Sequence, residues 1–321
     1  MAVDKGMTRP RYTGLASFMR TPYREDWDGV EIGLIGVPYD GGVTNRPGAR
    51  HGPREIRNQS SLIRPYHPVS KISPHDLCQV ADLGDAWVEK PFALEGAQDQ
   101  IAAFFAEVHA RGIIPLSAGG DHSITLPILR AIAADRPVGL IHFDAHCDTG
   151  DDYLGSRFHH GAPFRRAVEE GLLEPERCIQ IGIRGSMSDP DIWSFSHDQG
   201  MRVIYIEEFY ELGVEGVIAE ARRVIGAGPA YVSFDVDGLD PVYAPGTGTP
   251  EVGGFSTLEA QIMLRGLSGL NLIGGDVVEV SPPFDPSGNT ALVGATMMFE
   301  ILCLLAESRS GTRSAQASSS G

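Results

Sequence analysis

The stretch VGLIHFDAHCD, residues 138–148, decides the fold. It opens as an apolar run without polar alternation, too short for a helix, and ends abruptly in Asp144, His146 and Asp148. A run of that kind reads as a strand covered on both faces, as in a parallel sheet flanked by helices. His142 falls inside the strand and reads as a buried, hydrogen-bonded group rather than a ligand.

Outward from this stretch, similar runs recur at Glu31–Val37, Gly112–Ser117, Cys178–Ile183, Arg202–Ile206, Ala230–Asp235 and Leu272–Val280. Between them lie amphipathic stretches that predict helices over Ala93–Ala110, Ile124–Ala134, Gly161–Glu170, Val214–Ile225, Thr257–Leu267 and Ala291–Leu305. Strand–helix alternation predicts a single-domain α/β fold, a doubly wound, mostly parallel sheet with helices on both faces. Residues 1–28 read as an N-terminal arm and 29–307 as one catalytic domain without linker or repeat. The small, polar segment 308–321 reads as a disordered tail.

Composition narrows the function classes. With 26 Lys+Arg against 42 Asp+Glu, the net charge is -16, which disfavours nucleic acid and anionic membranes as partners. Cys78, Cys147, Cys178 and Cys303 form no paired motif, which favours a reducing compartment. A polar start, and no apolar run that approaches the ~20 residues needed to span a bilayer, predict a cytoplasmic protein.

Four strand ends carry metal-capable side chains. GIIPLSAGGDHS ends in Asp121 and His122; VGLIHFDAHCD supplies Asp144, His146 and Asp148; YVSFDVDGLDP supplies Asp235 and Asp237; DVVEVSPP supplies Glu279. Taken singly, an Asp after a strand is most simply a turn or cap residue. Together they point to one place, because ligands of a doubly wound sheet sit beyond the carboxyl ends of its strands. Residues i and i+2 of an extended segment share a side, so Asp144 with His146 and Asp235 with Asp237 can address adjacent positions. Four carboxylates withdrawn from water call for cations, and two divalent ions balance them; the mixed imidazole–carboxylate set suits Mn²⁺ first and admits Ni²⁺, Co²⁺ or Zn²⁺. Cys147, between two ligand candidates, faces away by alternation and reads as packing. The Gly-rich GVPYDGGVTNRPGARHGP lacks a phosphate-loop ending and reads as a pocket rim or subunit contact.

GGDHS (119–123), DAHCD (144–148) and SFDVDGLDPVYAPGTGTPEVGG (233–254) resemble the three signatures of the ureohydrolase (arginase/agmatinase) family. The likeness runs from RYTGLASFMR to MMFEILCLL, and DGGVTNRPGARHGPREIRN particularly resembles the bacterial guanidinopropionase, guanidinobutyrase and agmatinase branch. The resemblance implies that His122, Asp144, Asp148 and Asp235 bind one metal and that His146, Asp144, Asp235 and Asp237 bind the other. It also implies a proton-shuttling His160 (with neighbouring His159 a competitor for the role), a catalytic part for Asp148, and Glu279 as the acid that holds a guanidinium. The reaction implied is hydrolysis of a guanidine C–N bond, yielding urea and an amine, by a water activated between two cations.

Three positions bear on substrate. The family usually has Asn where this chain has Gly150 and commonly Thr where it has Ala162, so space and hydrogen-bond partners are expected to change there. Tyr153 matches a position tied to substrate choice in the guanidinopropionase branch. A guanidino acid such as 3-guanidinopropanoate ranks first; an N,N-dialkylguanidine or metformin-like biguanide ranks second. A homotrimer or hexamer is implied, and a non-catalytic subunit paired with a paralogue is the alternative of another class.

Overall fold

In a computed structural model describing residues 10–319, the apolar runs line up side by side as eight strands, all parallel. In chain order these are β1 (Ile32–Val37), β2 (Val80–Asp85), β3 (Ile114–Gly119), β4 (Val138–Phe143), β5 (Leu173–Ile183), β6 (Arg202–Tyr205), β7 (Ala230–Asp235) and β8 (Leu272–Val278). Their order across the sheet is β2-β1-β3-β8-β7-β4-β5-β6. The helices are α1 (Gly52–Ser60), α2 (Pro74–Leu77), α3 (Leu94–Ala110), α4 (Thr125–Ile132), α5 (Pro163–Glu169), α6 (Ser194–Asp198), α7 (Ile206–Ile225), α8 (Thr257–Gly266) and α9 (Asn289–Ser319).

Alternation along each strand feeds two cores. Ile141 and Phe143 join the side built on α1, α7, α8 and α9, whereas Val138 and Leu140 join the side built on α3, α4 and α5. The doubly wound expectation therefore holds, with helices over both faces.

Several boundaries differ from the sequence reading, each for a local reason. Strand β2 was not anticipated: its run VADLGD is broken by Asp82 and Gly84. Asp82 is buried on this edge strand, where Arg57 donates to both its oxygens at 3.0 Å and Phe18 N donates at 2.9 Å. The same guanidinium donates to Asp85 and to the Gly84 carbonyl and packs on the Phe18 ring. These contacts, with Met19 N donating to Ser60 Oγ, also tie the described part of the arm to the core; residues 1–9 lie outside the described residues.

Helix α7 starts at Ile206, earlier than expected, because Gly213 with φ 64° absorbs a break inside it. Helix α9 runs on to Ser319 over most of the segment read as a disordered tail. Ser268 donates to Glu307, and Ser308 exchanges hydrogen bonds with Leu272 of β8, so this part of the helix is held to the sheet. Side chains from 312 onward, and residues 320–321, lie outside the described residues. The Asn289–Gly311 part also corrects the expectation of no span-length apolar stretch: it is long and apolar enough to cross a membrane, but 78% of its apolar window is buried inside the protein, as a core helix would be.

Replacing Arg57 by Leu would strand Asp82 as a buried, uncompensated charge. The expected cost is about 3–5 kcal/mol of unfolding free energy, measured by urea denaturation. The double variant with Asp82→Asn should recover part of that loss, and equal stability of R57L and wild type would refute the assignment.

Candidate metal centre

Strands β3, β8, β7 and β4 are consecutive in the sheet, so their carboxyl ends bring the ligand candidates together. Around His122 Nδ1 lie Asp148 Oδ2 at 2.9 Å, Asp144 Oδ2 at 3.2 Å and Asp235 Oδ2 at 3.2 Å. Around His146 Nδ1 lie Asp237 Oδ2 at 3.1 Å and Asp144 Oδ1 at 3.3 Å. The two groups share Asp144. All six proposed ligand positions thus meet at one edge, although they come from separate parts of the chain.

The state of His122 tests whether a cation fits. Its Nε2 lies 2.8 Å from Ser233 Oγ, whose own hydrogen goes to Asp276 Oδ1 at 2.7 Å. Ser233 must therefore accept, which commits Nε2 as a donor and leaves Nδ1 as the nitrogen aimed at the carboxylates. Nδ1 is buried and has no hydrogen-bond partner, yet three carboxylate oxygens crowd it. Burial opposes charge on this ring, but Asp144, Asp148 and Asp235 raise His122 well above the ordinary imidazole range. The place between Nδ1 and the three carboxylates therefore calls for positive charge, which a metal cation supplies as a proton does.

The carboxylates say the same. Burial, then the charges of Asp237 and Asp144, holds Asp235 well above the usual carboxylate range. Burial and the Asp144 charge push Asp237 up to about 6. Among the described residues, no lysine or arginine forms an ion pair with Asp144, Asp148, Asp235 or Asp237. Two divalent cations fit this donor set.

Beneath the cluster runs a support that the sequence reading passed over. Register places Gln180, His142, Ser233, Asp276 and Ser117 side by side on β5, β4, β7, β8 and β3, all fully buried. Gln180 donates to His142 Nδ1 at 3.1 Å, so His142 Nε2–H donates to Asp144 at 2.7 Å. His142 is thereby committed as a hydrogen-bond donor, as expected, although it lies close enough to be grouped with the ligands. Asp276 accepts three hydroxyls, from Ser233, Thr125 and Tyr231. A faint signal existed: His142 and Ser233 stand two residues before Asp144 and Asp235, on the same strand face. Arg184 is the other omission. Its guanidinium donates to the carbonyls of Asp237 at 2.7 Å, Gly238 at 3.0 Å and Glu251 at 2.6 Å, holding the loop that carries Asp237.

A cavity of about 220 Å³ opens over the cluster, lined by Thr44, Asp148, Tyr153, His159, His160 and Trp193 among others. His160 Nδ1 meets Glu279 Oε1 at 2.8 Å, and Nε2 meets Thr44 Oγ1 at 2.8 Å. Burial opposes charge on His160, but the carboxylates of Glu279, Asp121 and Asp148 push it up to about 9. Glu279 lies behind His160 rather than in the cavity lining. Its Oε1 also accepts from His122 N at 2.8 Å, while Oε2 is buried without a partner. Asp148 and Glu279 have left-handed backbones, φ 52° and 64°, a strain of order 1–3 kcal/mol each that collects at functional sites.

The substrate positions divide. Tyr153 lines the cavity, half exposed, with its ring 5.7 Å from that of His159. Gly150 lines it too, but opens no space: a Cβ there would lie 2.9 Å from Gly161 O and 3.2 Å from His159 Cε1. The His159 ring already fills that place, with Nδ1 accepting from Gly161 N. The expectation for Ala162 is corrected. It is fully buried where α5 begins and does not line the cavity, so a polar group is lost there from packing rather than from the wall. Cys147 is buried with Ile183 and Val203 and burial pushes its thiol up, although it also belongs to the cavity lining.

A parallel sheet whose carboxyl edge gathers two imidazole–carboxylate groups about a shared aspartate defines a metal-dependent α/β protein. The arginase family model matches residues 30–304. The chain is 62% identical over 300 residues to guanidinopropionase of Pseudomonas aeruginosa, covering 93% of this chain and 94% of that protein. It is 46% identical over 304 residues to guanidinobutyrase of the same organism, covering 94% and 95%. Among solved structures, the proclavaminate amidino hydrolase from Streptomyces clavuligerus superposes with a TM-score of 0.90 at 39% identity, covering 94% of this chain and all of that one. This chain belongs to the arginase family.

Ser233→Ala would remove the group that fixes the His122 tautomer. Metal affinity should fall about 10–100-fold with the fold intact, read by competition with a metallochromic chelator; unchanged affinity would show that Ser233 does not set the ligand.

Proposed function

We propose that this chain is a binuclear-metal hydrolase that cleaves a guanidino acid such as 3-guanidinopropanoate into urea and an amine. The observation that carries the reading is the carboxylate-ringed Nδ1 of His122 beneath the cavity, supported by the high identity to a guanidinopropionase. His122, Asp144, Asp148 and Asp235 would hold one cation and His146, Asp144, Asp235 and Asp237 the other, with Mn²⁺ favoured and Ni²⁺ the second choice on ligand type. A divalent pair bound there supplies Lewis acidity and lowers the pKa of water toward neutrality.

The chain's own groups do the rest. Asp148, which lines the cavity beside His122, would serve as a ligand and is placed to orient the attacking water. On the family likeness the guanidinium is assigned to Glu279. Its Oε2 is buried without a partner beside Gly248 but lies behind His160 and outside the cavity lining, so substrate must reach past His160 to meet it. His160 supplies the proton that the departing amine needs, and its pairing with Glu279 keeps that proton available at neutral pH. His159 has no carboxylate partner of this kind, and burial lowers its pKa, so the shuttle role is given to His160. Because His159 fills the place at Gly150, no added room there favours a bulky biguanide. Gly150 and Tyr153 shape the wall that meets the distal end of the substrate. The assembled ligand set gives no support to a silent subunit. On the family likeness we assign a cytoplasmic homotrimer or hexamer, with residues 29–307 as its catalytic domain; sedimentation of the purified chain tests the assembly.

Urea release should be faster, as kcat/KM, from 3-guanidinopropanoate than from a dimethylated biguanide, using protein loaded separately with Mn²⁺ and with Ni²⁺. The reverse order would overturn the substrate assignment. Exhaustive chelation should abolish turnover, and re-addition of metal should restore it. Asp235→Ala should lose both metal and activity, whereas His160→Ala should keep its metal and lose about 10²–10⁴-fold in kcat.

A further inference from the structure

We infer that Arg165 is a positioning residue that straps the two walls of the cavity mouth together and so sets the length of guanidino acid the site accepts. The inference rests on the hydrolysis assigned above. Beyond the ligand groups the cavity runs between two segments, one carrying Gly150 and Tyr153 and the other Ile192 and Trp193. Neither is a strand or a long helix. Tyr153 sits on a tight turn closed by reciprocal backbone hydrogen bonds with Ser156 at 2.9 and 3.1 Å, and the next residue, Leu154, is 91% exposed. Ile192 and Trp193 precede the short helix α6. Side-chain contacts hold one wall to the other.

At the base, Thr149 Oγ1 meets Ser196 Oγ at 3.0 Å, both residues buried. At the rim the link is Arg165 of α5. Its Nη2 lies 3.2 Å from Asp151 Oδ2, one residue past Gly150. Its guanidinium carbon stands 4.6 Å from the ring centre of Phe195, two residues past Trp193. Glu169 accepts from its Nε at 3.1 Å, which sets the plane of the group. Asp151 also takes Arg166 at 2.8 Å and Arg157 at 3.5 Å, so the first wall is anchored apart from Arg165. What Arg165 adds is the second wall. A guanidinium can serve both because its donors lie in a plane whose face is free to stack on a ring; a lysine ammonium has no such face.

The consequence is selective. On the assigned reaction the guanidine end lies over the ligand groups, so the far end of the substrate meets the rim. Widening the rim leaves the reacting end in place and relaxes the fit around the distal methylene and carboxylate. A pocket tells one methylene from none by roughly 10–200-fold, and that is the margin the strap controls.

Arg165→Met keeps the stem and removes the fork; Arg165→Lys keeps the charge but not the face. In metal-loaded protein, R165M should shift the kcat/KM ratio between 3-guanidinopropanoate and its one-methylene-longer homologue about tenfold toward the longer acid. The shift should lie in KM, with kcat on the shorter acid little changed. R165K should fall between R165M and wild type. Phe195→Leu should reproduce the shift and add nothing to R165M. Independent of turnover, spin labels on Leu154→Cys and Asp189→Cys report the rim, since both positions are exposed and the native cysteines are buried. Their separation, measured by pulsed electron–electron resonance, should lengthen or broaden in R165M and in F195L. An unchanged ratio in either variant, or equal losses on both acids, would overturn the length assignment, and an unmoved label distance would overturn the strap. A wild type that releases no urea from any guanidine overturns the assigned reaction instead, and the label distances then decide the strap by themselves.

Discussion

Four aspartates withdrawn from water at the end of one sheet are the constraint on which the rest of this structure depends. Asp144, Asp148, Asp235 and Asp237 are all buried, and among the described residues none is matched by a lysine or arginine. Carboxylates packed this closely repel one another, and burial strengthens the repulsion because little water remains to screen it. Two imidazoles whose side nitrogens point into the group do not relieve it when neutral; with the carboxylates they complete a donor set that two metal cations balance. The parallel sheet makes the crowding geometrically possible, since it points consecutive strand ends the same way.

Such a site must be rigid before it is loaded, and the rigidity comes from groups that carry no ligand atom. The polar row from Gln180 through His142 and Ser233 to Asp276 sets the tautomer of His122 and the orientation of Asp144. Three hydroxyls on Asp276 satisfy a charge that would otherwise be intolerable in the middle of a sheet. Arg184 does the corresponding work for the loop of Asp237 by donating to its carbonyls. On the cavity side, the loop held by Asp40 and Asp121 brings Thr44 to His160. Metal support and proton handling meet at Glu279, which binds the His122 backbone with the same oxygen that holds His160.

The sequence by itself determined the parallel sheet, its two helical layers and the ligand-type residues, because those follow from local pattern. Apolar runs such as Val138–Phe143 read as strands buried on both faces, and the Asp and His residues after them read as strand-end groups, whatever their neighbours turn out to be. It missed β2, whose pattern is broken by an aspartate that only a distant arginine makes tolerable. It also took Gly150 for open space, since the ring that fills it belongs to His159 and arrives by chain reversal. Tertiary structure alone decided these points, together with the row beneath the metal groups and the contact of Thr44 with His160. Each depends on register between strands or on loops meeting across the sheet edge, and no interaction within a short window of sequence encodes such a meeting.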